Sequence, residues 1–155
     1  MLRGKGAEIK YAYDSMYRLI KIDYPFSVDT EYTYGPANAT DGTAGRIAQV
    51  KDETGHTEYE YGLLGETTRE TRTITRLTPT LSNKDETRAT GYKSNYLGQM
   101  EQITFDDGEV VTYTYNSGGQ VQTVTGVKGG SLGLDDYQFP YVKDIGYDEF
   151  GQVAF

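Results

Sequence analysis

Polar and apolar positions alternate with period two over short stretches, as in Tyr11-Ala12-Tyr13, Tyr59-Glu60-Tyr61 and Tyr113-Thr114-Tyr115. In such a stretch the two rings share one face of a strand, and aromatics suit a pleated, half-buried surface. Asp or Asn follows the second ring at Asp14, Asn116 and Asp148, and a Gly stands three residues later at Gly119 and Gly151. A side-chain carbonyl that bonds back to the backbone opens a turn, and a residue able to take positive φ closes it. Beyond the turn come apolar pairs three apart: Leu19 and Ile22, Ile47 and Val50, Met100 and Ile103, Val121 and Val124. Plain alternation makes that spacing two, so a spacing of three predicts a bulge at the same point each time, bending the sheet in one sense. Asp52-Glu53-Thr54-Gly55 and Asp106-Asp107-Gly108 read as hairpin turns between units. The longer connections, Arg76 to Ala89 and Gly126 to Tyr137, read as protruding loops or extended hairpins. No 15-residue window carries a helical apolar stripe.

These stretches are copies of one unit. Tyr11-Ala12-Tyr13-Asp14-Ser15-Met16-Tyr17-Arg18-Leu19 recurs as Tyr59-Glu60-Tyr61-Gly62-Leu63-Leu64-Gly65-Glu66-Thr67 and as Tyr92-Lys93-Ser94-Asn95-Tyr96-Leu97-Gly98-Gln99-Met100. It recurs again as Tyr113-Thr114-Tyr115-Asn116-Ser117-Gly118-Gly119-Gln120-Val121 and as Ile145-Gly146-Tyr147-Asp148-Glu149-Phe150-Gly151-Gln152-Val153. A sixth copy is split, Tyr32-Thr33-Tyr34-Gly35 reaching Gly45-Arg46-Ile47 only after Pro36 to Ala44. The second aromatic position marks the copies at 13, 34, 61, 94, 115 and 147. Residues 1–155 therefore read as a single repeat domain of about six units. The fold class expected is all-β, a curved antiparallel sheet of successive hairpins, open at both ends. In the third copy Thr67 and Glu70 stand where the others are apolar, so its second strand is expected to be more exposed.

The pattern Tyr-x-Tyr-Asp-x-x-Gly-Arg-Leu resembles the YD repeat of the Rhs family, from Tyr11 to Val153. That family includes bacterial polymorphic toxins, the cocoon-forming components of insecticidal toxin complexes, and the teneurins. The resemblance implies a spiral β-sheet wound into a hollow shell, which in the bacterial toxins encloses a C-terminal toxic domain. It also implies that the parent protein is secreted or displayed at a bacterial cell surface. The copies depart from the pattern at Tyr17, in place of the turn glycine, at Gly35 and Gly62, in place of the acidic residue, and at Ser94, in place of the second tyrosine. The proline- and Asp-Gly-bearing signature that ends many bacterial Rhs cores is missing, and Phe155 falls inside an expected strand. The chain is accordingly expected to be a piece of a longer protein. Its partners would be the neighbouring repeats and an enclosed C-terminal domain, with self-association through open sheet edges.

Composition narrows the chemistry. The 155 residues hold 15 Tyr and 19 Gly but only 4 Pro and no Cys or Trp, which fits short strands joined by glycine turns and excludes disulfides and thiol catalysis. A net charge of -8 argues against nucleic-acid binding and against an anionic membrane. No stretch has the roughly 20 apolar residues of a membrane span, and Met1 to Gly6 lacks the apolar run of a signal peptide.

No catalytic, cofactor or metal site is expected. His56, the lone histidine, lies beside a turn with no second nitrogen or sulfur ligand type. Asp106-Asp107-Gly108-Glu109 lacks the alternating ligands of a calcium loop. Asp135-Asp136 and Asp148-Glu149 are carboxylate pairs of the kind a glycosidase uses, but Asp148 already serves a turn. Ser131 in Gly129-Gly130-Ser131-Leu132-Gly133 lacks a nucleophile-elbow frame. The residues singled out are those of the repeat: Tyr11, Tyr13, Asp14, Tyr32, Tyr34, Gly45, Tyr59, Tyr61, Gly65, Tyr92, Asn95, Gly98, Tyr113, Tyr115, Asn116, Gly119, Tyr147, Asp148 and Gly151. Rows of rings on one face could stack sugar rings, making a carbohydrate-binding or adhesive module the rival reading. Their regular recurrence favours a ladder that braces neighbouring strands. Asn38-Ala39-Thr40 matches a glycosylation acceptor, meaningful only in a host that glycosylates.

Overall fold

The structure, a computed structural model, describes residues 8–76, 84–129 and 137–154, and the chain divides into two compact units, 1–88 and 89–155. Among the described residues there is no helix. The first unit holds β1 (Lys10–Tyr13), β2 (Leu19–Asp23), β3 (Thr30–Tyr34), β4 (Ile47–Asp52), β5 (Gly55–Tyr61), β6 (Thr67–Arg76) and the start of β7 (Lys84–Ser94). The second holds the rest of β7, β8 (Met100–Thr104), β9 (Glu109–Tyr115), β10 (Val121–Lys128) and β11 (Tyr137–Val142), followed by the short hairpin β12 (Gly146–Tyr147) and β13 (Val153–Ala154). Strands β1 to β11 hydrogen-bond in chain order, as the run of hairpins and turn residues predicts. The amide of Ile145 donates to the carbonyl of Gln122 at 3.0 Å, so the last hairpin starts beside the first half of β10, whose second half pairs with β11.

Each of the first five copies is a hairpin with a bulge at the same point, where the apolar spacing places it. Tyr13 opposes Leu19 while Ala12 opposes Lys21, leaving Ile20 as the extra residue. The same slip leaves Ala48, Thr68, Glu101 and Gln122 unopposed in the next four copies. One extra residue between the two apolar positions returns both to the same face, which explains a spacing of three in a period-two structure.

The longer connections are extended hairpins. Strands β6 and β7 run for 10 and 11 residues, and β10 continues to Lys128 before β11 begins at Tyr137. Pro79, Ser82 and Asn83, with Ser131 and the Asp135-Asp136 pair, lie outside the described residues.

The expected exposure of the third copy is corrected. Thr67 and Glu70 are half-buried, as are Leu19, Ile22, Ile47 and Val50 at the matching positions. Strand β6 is paired on both sides, with β5 and β7, and that pairing covers its side chains whatever their polarity. Among the described residues Val111 is the one buried apolar side chain, at 7% exposure, and no side chain is fully enclosed. Cohesion therefore rests on strand pairing and on side-chain contacts across strands, with little from a packed interior.

Candidate functional site: the clasp between repeats

The turn of each repeat is built by its own sequence. The backbone amides of Asp14, Asn95, Asn116 and Asp148 each donate to the carbonyl four residues on, all at 2.9 Å. Their side-chain Oδ1 atoms accept from the amides two and four residues on, at 2.8–3.0 Å. These bonds hold the Asp14 carboxyl below the usual carboxylate range, the Arg18 amide first among the causes. The fourth position is left-handed in every copy, including Tyr17 at φ 58°. In the third copy Gly62 offers no cap and the Glu66 carboxylate takes its place: a Cβ on Gly62 would collide with Glu66 Oε1. Its Oε2 is buried without a hydrogen-bond partner.

Neighbouring repeats are joined by a bond that recurs within each unit. The second tyrosine of one copy donates its hydroxyl to the first strand carbonyl after the preceding copy's turn. In the first unit these bonds run from Tyr34 to Leu19 at 3.0 Å and from Tyr61 to Ile47 at 2.8 Å. In the second they run from Tyr115 to Met100 at 2.6 Å and from Tyr147 to Val121 at 2.7 Å. Partial burial pushes the Tyr61 and Tyr115 phenols up. The first rings Tyr32, Tyr59, Tyr92 and Tyr113 are half-buried, with Tyr59 stacked on Tyr61 at 6.5 Å between centroids. Ser94 brings no ring to the fourth copy.

A second contact runs the other way, through residues that their sequence positions alone do not single out. The side chain just after the turn glycine reaches the next copy's turn. Arg18 Nη1 donates to the Gly45 carbonyl at 3.3 Å, Gln99 Nε2 to that of Gly119 at 2.8 Å, and Gln120 Nε2 to that of Gly151 at 3.3 Å. Arg18 and Arg46 also lie over the rings of Tyr34 and Tyr61, at 4.1 and 5.6 Å from the centroids. The available signal is a long polar residue, Arg, Gln or Glu, at this position in all six copies. Only the neighbouring hairpin's register gives that residue a target.

The other candidates are structural. His56 is a half-buried residue of β5 opposite Thr73. Asp107 caps its hairpin turn through the Glu109 amide at 3.1 Å and pairs with Lys128 at 2.5 Å. Among the described residues no group of three or more acidic or histidine side chains is placed to hold a metal ion. An open depression of about 460 Å³ forms where the Pro36–Ala44 insertion passes Arg18 and Tyr34, but Arg18 is paired with Asp14 at 2.7 Å and the Tyr34 hydroxyl is engaged on Leu19.

No family model matches the chain, and no curated protein matches it. Solved structures do. The chain is similar to a crystal structure of TcdB2-TccC3-Cdc42 at 17% identity and TM-score 0.75. It is similar to TcdB2-TccC3 without the hypervariable C-terminal region, at 17% identity and TM-score 0.78, and to TcdB2-TccC3-TEV, at 17% and 0.76. Each likeness covers 96% of this chain and 8% of the other. The chain thus has the fold found in these toxin-complex structures and spans about 8% of their length.

Proposed function

We propose that this chain is a wall segment of a YD-repeat sheet that encloses and helps deliver a toxic or effector domain carried elsewhere in the same polypeptide. The segment itself catalyses nothing, and the parent protein works outside the cell or at its surface. The observation that carries this reading is the use of the tyrosines. The hydroxyls of Tyr34, Tyr61, Tyr115 and Tyr147 are engaged on backbone carbonyls of the preceding copy, where a glycan-binding row would leave hydroxyls and ring faces open to ligand. The likeness to TcdB2-TccC3, a chain with a hypervariable C-terminal region, supports the same role.

Limited proteolysis of the full-length parent tests it. The region after the repeats should survive protease concentrations that digest the same region expressed alone. Replacing Tyr34, Tyr61, Tyr115 and Tyr147 by Phe, at about 0.5–1.5 kcal/mol per lost bond, should make it digestible. Equal digestion of the region in the intact parent and in isolation would overturn the enclosing role.

A further inference from the structure

Three rings outside the repeat pattern lie together on the β10–β11 hairpin. Tyr137, Phe139 and Tyr141 follow at every second residue of β11, with 5.5 Å between the centroids of the first two and 4.9 Å between those of the last two. Opposite Phe139 stands Gly126, where a Cβ would come within 2.8 Å of the Phe139 and Tyr141 rings, so both rings lie across the bare glycine. Tyr137, Lys128 and Glu109 stand in one row across β11, β10 and β9, and the Tyr141 hydroxyl reaches over β10 to the Glu109 carboxylate. Tyr137 and Tyr141 are 69% and 55% exposed, and the Tyr137 hydroxyl has no hydrogen-bond partner among the described residues.

This exposure belongs to the build of the hairpin. In the matching hairpin β6–β7 the next strand, β8, stops at Thr104 opposite Gly91, three residues before Ser94, and does not pair with residues 84–90 of β7. Three residues before Tyr147 comes Asp144, so a following repeat of the same build would leave all of β11 unpaired on that side. Pro140, in the middle of β11, supplies no amide donor, the mark of an edge that is kept from further pairing.

We infer that this platform binds a neutral oligosaccharide, a pyranose ring seated on Tyr137 with its hydroxyls bonded to the Tyr137 phenol and the Glu109 carboxylate. A sugar presents an apolar C–H face bordered by hydroxyls, which matches ring faces bordered by phenols and a carboxylate with lone pairs to spare. Charge selects among sugars. Lys128 is paired with Asp107 at 2.5 Å, so the Glu109 charge is left in excess and sialylated, sulfated or uronic glycans are repelled. The site is separate from the clasp between repeats and stands whether or not the sheet encloses a domain.

Isothermal titration of the 155-residue chain with gluco-, manno- and chito-oligosaccharides, and with sialyllactose as the charged control, tests this. At least one neutral series should bind, and sialyllactose should not. Tyr137→Ala should weaken binding about tenfold or more, and Glu109→Gln several-fold. Tyr96→Ala, which removes an exposed ring at the turn tip of the fourth copy, should leave it unchanged. Circular dichroism confirms that each variant is folded. No binding in any neutral series, tighter binding of sialyllactose, or binding that survives Tyr137→Ala or falls equally with Tyr96→Ala would overturn the inference.

Discussion

Tyr17 carries the least comfortable backbone in the described chain. It is the one non-glycine residue at positive φ, yet its side chain is 90% exposed, so little packing offsets the strain. Left-handed backbone costs an L-residue roughly 1–2 kcal/mol, part of which glycine gives back through its freer unfolded chain. Tyr17→Gly should therefore raise stability by about 0.5–1 kcal/mol. The converse holds at Gly98, at φ 78°, where an added Cβ would find nothing within 4 Å and valine would meet conformational strain alone. Gly98→Val should lower stability by about 1 kcal/mol or more. Urea melts of both variants check the pair; no change in either would refute the turn geometry. This much was legible in sequence, since the Asp or Asn cap and the glycine three residues later name the turn by themselves. The clasping role of Arg18, Gln99 and Gln120 was not, because a flexible side chain has no assigned target until the adjacent hairpin is in register.

Among elements, the β4–β5 turn and β6 are tied by one arginine. Arg72 donates to Asp52 Oδ1 at 2.9 Å and to the buried Thr57 hydroxyl at 3.0 Å, and it also bonds the Thr54 hydroxyl. The guanidinium is the main reason that the Asp52 carboxyl is lowered from 3.8 to about 2. A carboxyl lowered on folding contributes stability that is complete above its unfolded value and disappears as pH falls through the folded one. The contribution of Asp52 should thus be intact above about pH 4 and fade toward pH 2, in modest degree because the pair is partly exposed and solvent-screened. Denaturant midpoints for wild type and Arg72→Met should differ at pH 5 and converge toward pH 2; a constant difference would remove Asp52 as the cause. Strand order, hairpins and bulges were readable from spacing, because alternation and turn chemistry are local. The half-burial of Thr67 and Glu70 was not, since coverage of a strand depends on what pairs beside it.

For the molecule as a whole, the near absence of buried apolar side chains has a thermodynamic signature. Heat-capacity change on unfolding follows the apolar surface newly exposed, about 12–15 cal/mol/K per residue in ordinary globular domains. With Val111 the one buried apolar side chain among the described residues, each unit should fall well below that range in calorimetry. A value inside the range would mean that far more apolar surface is covered than strand pairing accounts for. Composition carried only a faint hint of this, in many tyrosines and few aliphatic residues. A tyrosine can brace a strand through its hydroxyl or fill a core with its ring, and sequence does not distinguish the two uses.

The tyrosine bond also has a direction in time. In every instance the donor belongs to the later copy and the acceptor to the earlier one, 14 to 26 residues upstream. A ribosome releases the acceptor first, so each newly emerged hairpin meets a finished template and closes on it without waiting for distant sequence. Growth of the sheet can then keep pace with synthesis, and the slow, non-local search that burdens many β proteins is replaced by a series of short steps taken in the order in which the chain is made.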